Sequence, residues 1–166
     1  MVPCPRCTHA GRTVTTATVE AHTKAPRRAR AGAQSRWFFC ADGDCAVGYF
    51  ASDDHVITLA EMRTTPFPKS DASERQVCFC FHHTAAAVLA DVTPDGVSNI
   101  RAAIVDACGR GLDECERKNP EGRCCLGNIA RLLRQNDDTS RAPTCCSKDV
   151  PSETAARVAS GRGERR

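Results

Sequence analysis

The twelve cysteines of this 166-residue chain constrain its fold more than any other feature. Most of them stand in close pairs along the sequence. The pairs are Cys4 and Cys7, Cys40 and Cys45, Cys78 and Cys80, Cys124 and Cys125, and Cys145 and Cys146. Aromatic residues make up only 5% of the chain, so a large core of bulky side chains is not expected. A chain of this kind is stabilised by disulfides or by metal sites, and the cysteines must supply one or the other.

Two features of the sequence favour metal sites over disulfides. The amino-terminal stretch MVPCPRCTHAGRTV lacks the apolar run of a signal peptide. No stretch approaches the roughly 20 apolar residues of a membrane span. We therefore expect a cytoplasmic protein in which thiols bind metal rather than one another, with a disulfide scaffold as the alternative.

The charge pattern points away from nucleic acid. The formal net charge is +3, and basic residues concentrate in residues 24–36 and in the terminal GRGERR. Neither run carries interleaved aromatic residues, and a solvated loop and a frayed tail account for both. Nucleic-acid binding is therefore not the expected function.

The first part of the chain, residues 1–63, has the pattern of short strands. Its β-branched and aromatic runs predict strands at residues 13–19, 37–39, 47–50 and 55–59. The prolines and polar residues of segment 64–76 indicate a linker.

Residues 77–135 change to a helical period. Thr84 is predicted to cap one helix, Thr93 and Pro94 to begin a second, and a third to follow Cys125. The second helix is predicted to bury one face, formed by Val97, Ile100, Ile104 and Cys108. The polar residues 136–166 predict a disordered tail. The expected fold class is α+β, with a small β module, a small helical domain and this tail.

The cysteines of the β module predict a closed zinc site. The C-x2-C and C-x4-C pairs each present two thiolates from a tight turn, and ADGD supplies the residues that such a turn favours. Four thiolates suit tetrahedral Zn²⁺ and leave no open coordination position, so the site should be structural. The predicted ligands are Cys4, Cys7, Cys40 and Cys45, whereas His9 and His22 are expected to be surface residues.

The cysteines of the helical domain predict a site of another kind. Cys78 and Cys80 are too close in sequence to bond easily to each other, but both can bind one iron of a [2Fe–2S] cluster. Cys115 and one cysteine of the pair Cys124-Cys125 can bind the second iron. The predicted helix starts would direct free N–H groups at the anionic cluster. A second zinc site is the alternative, because thiolates alone do not select the metal.

The order of these motifs resembles a known family. CPRC, TVTTATVEAH, WFFCADGDCAVGYF, VCFCFHHT and NPEGRCCLGN are similar to the amino-terminal portion of CopZ-type copper chaperones. By this resemblance, a zinc-binding module precedes a [2Fe–2S] domain similar to bacterioferritin-associated ferredoxin. The resemblance implies Cys4, Cys7, Cys40 and Cys45 as zinc ligands, and Cys78, Cys80 and Cys115 as cluster ligands. Cys125, which directly precedes a helix, is preferred over Cys124 as the fourth.

Three functions follow as hypotheses. The first is a metallochaperone in copper or other soft-metal homeostasis, whose cluster carries single electrons and whose partner is a metal-transporting or metal-binding protein. Transient Cu⁺ contacts are then expected among His82, His83, Cys124, Cys145 and Cys146. The second is a ferredoxin-like electron carrier for a metal-storage or reductase protein. The third is a zinc-ribbon adaptor for nucleic acid or an acidic protein.

The sequence carries no common catalytic motif. It contains no G-x-x-x-x-G-K phosphate loop, no G-x-S-x-G elbow and no H-E-x-x-H zinc motif. We therefore do not expect an enzyme, beyond one-electron reduction of a bound metal ion.

Overall fold

A four-stranded antiparallel sheet forms the first part of the molecule. The structure is a computed structural model that describes residues 2–24 and 35–141. The strands follow the order β1-β2-β3-β4 across the sheet. They are β1 (Arg12–Val14), β2 (Trp37–Phe39), β3 (Val47–Ala51) and β4 (Val56–Thr58), and helix α1 (Thr16–His22) lies between β1 and β2 in the chain. The strands predicted at 37–39, 47–50 and 55–59 are confirmed.

Alternate side chains of a strand point to opposite sides of a sheet. Every residue of β2 and β3 is buried, so both faces of these central strands are covered. On one face, Phe38 and Phe50 stack with their ring centroids 5.4 Å apart and pack against cysteines. On the other face, Phe39 and Tyr49 pack against Val19 of α1. The sheet therefore separates the cysteines of this part from α1.

The strand predicted over residues 13–19 is only half correct. The strand ends at Val14, and α1 begins after Thr15, whose Oγ1 accepts a hydrogen bond from the backbone N–H of Thr18 at 3.2 Å. Burial of Val19 and Thr18 on one side of α1 outweighs the β preference of this β-branched run.

The second part of the molecule is helical around a two-stranded ribbon. The ribbon pairs β5 (Gln76–Cys78) with β6 (His83–Thr84). The helices are α2 (Ala85–Ala90), α3 (Asn99–Gly109), α4 (Cys115–Lys118) and α5 (Leu126–Arg141). Their shared core includes Val77, Val88, Ile104, Ile129 and Leu132. A small antiparallel sheet and several helices thus give the mixed α and β architecture that was predicted.

The helix predictions are correct except at the start of α3. Thr84 caps α2 through its Oγ1, and α5 follows Cys125 as predicted. However, α3 is capped by Ser98, whose Oγ accepts from the N–H of Arg101, while Thr93 closes a tight turn by accepting from Gly96. Val97 is consequently 55% exposed and lies outside the helix, although Ile100, Ile104 and Cys108 do face the core.

The segment 64–76, predicted as a linker, is ordered and packed. It contains a 3₁₀ turn at Phe67–Lys69, and Phe67 is buried in the core of the helical part. Helix α5 continues to Arg141, beyond the predicted start of the tail at residue 136. The rest of the predicted tail lies outside the described residues. Among the residues described, no helix is both long and apolar enough to span a bilayer.

Direct hydrogen bonds join the two parts across the α1 side of the sheet. The Tyr49 hydroxyl donates to the Pro120 carbonyl at 2.6 Å, and the Arg12 guanidinium pairs with the buried Glu121 carboxylate at 2.8 Å. The side chain of Thr18 also donates to the carbonyl of Glu116. These contacts fix the loop before α5 on the sheet.

Candidate metal centres

Two tight turns present the first group of cysteines. In the first turn, the N–H of Cys4 donates to the carbonyl of His9 and that of Thr8 donates to the carbonyl of Cys4. In the second, the Asp42 side chain accepts from the N–H of Asp44 at 3.0 Å. This is the turn that the ADGD sequence predicts.

The four sulfurs of these turns converge. The Sγ atoms of Cys4 and Cys45 lie 4.0 Å apart, and those of Cys7 and Cys40 lie 3.5 Å apart. All four lie within 4.8 Å of one another. A tetrahedral ion with Zn–S bonds of about 2.3 Å places sulfurs about 3.8 Å apart, so the donor set fits zinc.

Neighbouring groups modify the charge state of these thiols. Burial would raise the pKa of Cys4, but hydrogen bonds from the backbone of Cys7 and Arg6 lower it. Burial raises the pKa of Cys40, against the opposing effect of the Lys69 ammonium. That ammonium donates to the carbonyls of Asp42 and Cys45, which places a cation from segment 64–76 beside the four sulfurs.

The second group of cysteines comes from four separate positions in the helical part. Cys78 ends β5, Cys80 lies in the turn after it, Cys115 begins α4 and Cys125 immediately precedes α5. All four are buried. The elements that carry them share one core, so the fold brings together the four residues that were predicted as cluster ligands.

The sulfurs of this group form two pairs. Cys80 and Cys115 lie 3.5 Å apart, and the N–H of Glu114 donates to the Cys80 sulfur at 3.4 Å. A hydrogen bond from Cys125 lowers the pKa of Cys78 to about 6. Each cysteine of the C-x-C thus contacts a later cysteine, and the expectation that Cys78 and Cys80 share one iron stays a prediction. The turn between these two residues directs them to different partners.

Cys124 differs from these four cysteines in its exposure to solvent. It is exposed, while Cys125 is buried in the shared core. Its neighbour is Cys108, whose pKa is raised to about 11 by burial and by the charge of Cys124. Cys125 therefore shares the buried core with Cys78, Cys80 and Cys115, and its preference over Cys124 as the fourth ligand stays a prediction.

The NPEGRCC stretch forms a rigid loop that positions Cys125. The Asn119 side chain donates to the Arg123 carbonyl at 2.6 Å and accepts from the N–H of Glu121 at 3.0 Å. The Glu121 carboxylate also accepts a hydrogen bond from Asn128 in α5. Gly122 has a φ of +64°, a conformation that favours glycine. Only the cysteines of this stretch were predicted to be functional, because the partners of Asn119 and Glu121 are distant in sequence.

The remaining candidate residues are dispersed. His82 is exposed and lies 3.3 Å from the Gln76 amide, and His83 is half-buried in β6. His22, predicted at the surface, is instead buried and contacts the Arg117 carbonyl at 3.1 Å. Cys145 and Cys146 lie outside the described residues, as does most of the basic segment 24–36.

One further cluster of potential metal ligands was not predicted from the sequence. Cys7, His9 and Asp42 bring a thiol, an imidazole and a carboxylate to within 4.8 Å of one another. His9 and Asp42 each stand two residues after a cysteine of the first group, and this spacing was the available signal.

Comparison with known proteins agrees with this geometry. Residues 1–63 match the zf_CopZ family, described as a zinc binding domain. The chain is 30% identical over 132 residues to the copper chaperone CopZ of Archaeoglobus fulgidus. This alignment covers 80% of the present chain and 62% of that protein. The chain thus spans about three-fifths of the length of this relative.

A solved structure is also similar. The X-ray structure of the Archaeoglobus fulgidus CopZ N-terminal domain superposes with a TM-score of 0.66 at 28% identity, covering 79% of this chain and 97% of that one. Together these matches support a metal-binding protein similar to CopZ metallochaperones, with a zinc-binding module at its amino terminus.

Proposed function

We propose that this protein is a metallochaperone in copper or other soft-metal homeostasis, with a structural zinc ion and a [2Fe–2S] cluster as resident cofactors. The observation that carries the proposal is the division of eight thiols, seven of them buried, into two groups of different geometry. In this proposal the chain binds and passes on metal or electrons, and it catalyses no bond-forming reaction.

The first group would hold zinc in a purely structural role. Cys4, Cys40 and Cys45 are almost inaccessible to solvent, and all four sulfurs face one centre. A four-thiolate shell leaves no position for water or substrate. The ion would join the two turns that precede β1 and follow β2, next to the core formed by Phe38, Val47 and Phe50.

The second group favours two metal ions over one. Within the described residues, three or more ligand atoms lie within 4.8 Å of one another at the first site. Cys78, Cys80, Cys115 and Cys125 do not form such a group. One tetrahedral ion would require four sulfurs about 3.8 Å from one another. Two separate sulfur pairs suit the two irons of a [2Fe–2S] cluster, which supplies one-electron transfer when bound.

The protein groups around the second site suit an anionic cofactor. Cys125 directly precedes the 16-residue helix α5, whose free N–H groups and positive dipole end lie on that side. The backbone N–H of Glu114 already donates to Cys80. These donors would stabilise negative charge on the sulfurs.

Copper would be the cargo, held by thiols at the surface next to the second site. Cys124 is exposed, adjacent in sequence to Cys125, and close to the half-buried Cys108. Soft Cu⁺ prefers thiolate ligands. The relative named as a copper chaperone supports this cargo, and Cys108 joins Cys124 as a candidate contact.

Electron transfer without copper binding is the second candidate function. The large exposed apolar side chains among the described residues are Val97, Val105 and Leu112, all on or beside α3. Val105 lies one turn before Cys108. Exposed apolar side chains on the helix that carries Cys108 would suit contact with a partner protein.

An anaerobic titration with Cu⁺ against a chromophoric chelator tests the proposal. The reduced wild-type protein should retain Cu⁺, and the variant Cys108→Ser/Cys124→Ser should lose it. The variant Cys145→Ser/Cys146→Ser is the control for thiols of the carboxy-terminal segment. Failure of the wild-type protein to retain any Cu⁺ would reject the chaperone and favour the electron carrier.

A further inference from the structure

The cluster of Cys7, His9 and Asp42 lies on the outer side of the first metal site. The Nδ1 atom of His9 is 2.9 Å from an Asp42 carboxylate oxygen. Both groups lie within 4.8 Å of the Cys7 sulfur, which also belongs to the group of four cysteines. One thiol is therefore common to two potential sets of metal ligands.

Solvent reaches the four-cysteine site from this side. Cys4 and Cys40 are each 1% exposed and Cys45 is 6% exposed, whereas Cys7 is only half-buried. A surface cavity of about 380 Å³ is lined by residues that include Cys7, Asp42 and Cys45. A metal ion arriving from solution would therefore meet Cys7 before the other three thiols.

The outer cluster has the chemistry to bind that ion first. Thiolate, imidazole and carboxylate are the three ligand types that proteins use for zinc. The side chain of His9 is 70% exposed and that of Asp42 is 18% exposed, so both can contact a hydrated ion without rearrangement of the core.

We propose that Cys7, His9 and Asp42 form an outer zinc-binding position through which Zn²⁺ is loaded into, and released from, the four-cysteine site. The ion keeps its bond to Cys7 while the sulfurs of Cys4, Cys40 and Cys45 replace His9 and Asp42. Each thiol gives up its proton to solvent as its sulfur binds the metal, and no electrons are transferred. This inference rests on the proposed function, because it requires zinc at the four cysteines.

The structure also offers a matched control. His55 and Asp53 form a second exposed imidazole–carboxylate pair at 3.1 Å. This pair belongs to no cluster of three metal-binding side chains within the described parts of the chain. It therefore reproduces the charges of His9 and Asp42 without the thiol.

The experiment measures zinc loading of the reduced, zinc-free full chain by stopped flow, with a chromophoric zinc chelator as donor. The test variant is His9→Ala/Asp42→Asn, and the control is His55→Ala/Asp53→Asn. Alanine at position 9 keeps the carbonyl that accepts from Cys4, and asparagine at position 42 keeps an oxygen for the N–H of Asp44.

We expect the test variant to load about tenfold more slowly, as local negative charge and preformed ligands accelerate ion association. Its final stoichiometry should equal that of the wild type, and release should slow by the same factor because the affinity is unchanged. The control should load at the wild-type rate.

Three results would overturn the inference. Equal loading rates for the test variant and the wild type would show that the outer position has no role in loading. Equal slowing in the test and control variants would show that the loss of charge alone, and not the loss of metal ligands, slows loading. Incomplete loading of the test variant at equilibrium would show that His9 and Asp42 only support the inner site. Failure of the wild-type chain to take up zinc at all is distinguishable from these, because it would reject the proposed zinc site itself.

Discussion

Removal of one hydroxyl group tests whether the two parts of the molecule fold as a unit. Tyr49 is fully buried in β3, and its hydroxyl donates to the carbonyl of Pro120 in the loop that carries Cys125. Burial raises the pKa of Tyr49, so the hydroxyl remains a donor. Tyr49→Phe keeps the ring and leaves the buried carbonyl without this donor.

The expected loss of stability is about 1–3 kcal/mol, the penalty for an unsatisfied buried polar group. In a protein of this size, each kcal/mol lowers the melting temperature by about 2–4 °C. Denaturation would be followed by the fluorescence of Trp37, the only tryptophan, which lies in the sheet. Circular dichroism at 222 nm would report mainly on the helical part. Both transitions should shift together at equal metal loading.

Thr23→Val is the matched control. The Thr23 hydroxyl is also buried, but it donates to the Val19 carbonyl at 2.6 Å, within the first part of the molecule. This variant should lose similar stability while the junction stays intact. An unchanged stability for Tyr49→Phe, or a shift in the Trp37 transition alone, would refute the view that this hydrogen bond couples the two parts.

Three further predictions concern the sites and their junction. Cys78→Ser should abolish iron binding and visible absorbance while zinc content is unchanged, and loss of zinc would contradict separate sites. Gly122→Ala should destabilise the folded protein more than Gly96→Ala. Both glycines have positive φ, but the added Cβ at position 122 would lie 3.1 Å from Val14, whereas the Cβ at position 96 would meet no atom within 4 Å. Calorimetry that ranks the two equally would contradict close packing of this loop. Burial lowers the pKa of His22 in the folded chain. At acidic pH the unfolded chain therefore binds a proton more readily than the folded chain, and the free energy of unfolding should decrease as the pH drops below about 6.5. Denaturation curves at pH 7 and pH 5.5 should show a smaller loss for His22→Gln, and an equal loss would contradict this explanation.

The sequence was sufficient to predict the convergence of Cys4, Cys7, Cys40 and Cys45 because each pair of these cysteines is close in sequence. CPRC and CADGDC each encode one tight turn, and the pairing of such turns needs only a short sheet between them. The strands at 37–39 and 47–51 were equally predictable from their aromatic and β-branched residues. Both features depend on neighbours in the chain.

The features that the sequence did not predict depend on distant contacts. Residues 16–22 are helical because α1 packs between the sheet and α4, and the β-branched composition alone gives no sign of this. Val97 fits a helical period but precedes the Ser98 cap. Asn119 and Glu121 become important only when Arg12 and Asn128 are brought to them by the fold.

The junction has a consequence for the proposed function. Tyr49 and Arg12 hold the Cys125 loop on the sheet through hydrogen bonds, so the first part of the molecule positions one ligand of the proposed second site. Zinc binding, by ordering the sheet, would therefore support the loop that positions Cys125.

Metal analysis of anaerobically purified protein, combined with electron paramagnetic resonance after reduction, tests the central claim most directly. Two groups of four cysteines predict about one zinc and two irons per chain, with a paramagnetic signal from the reduced cluster. A colourless protein with two zinc ions, no iron and no signal would contradict the assignment of Cys78, Cys80, Cys115 and Cys125 to an iron–sulfur cluster.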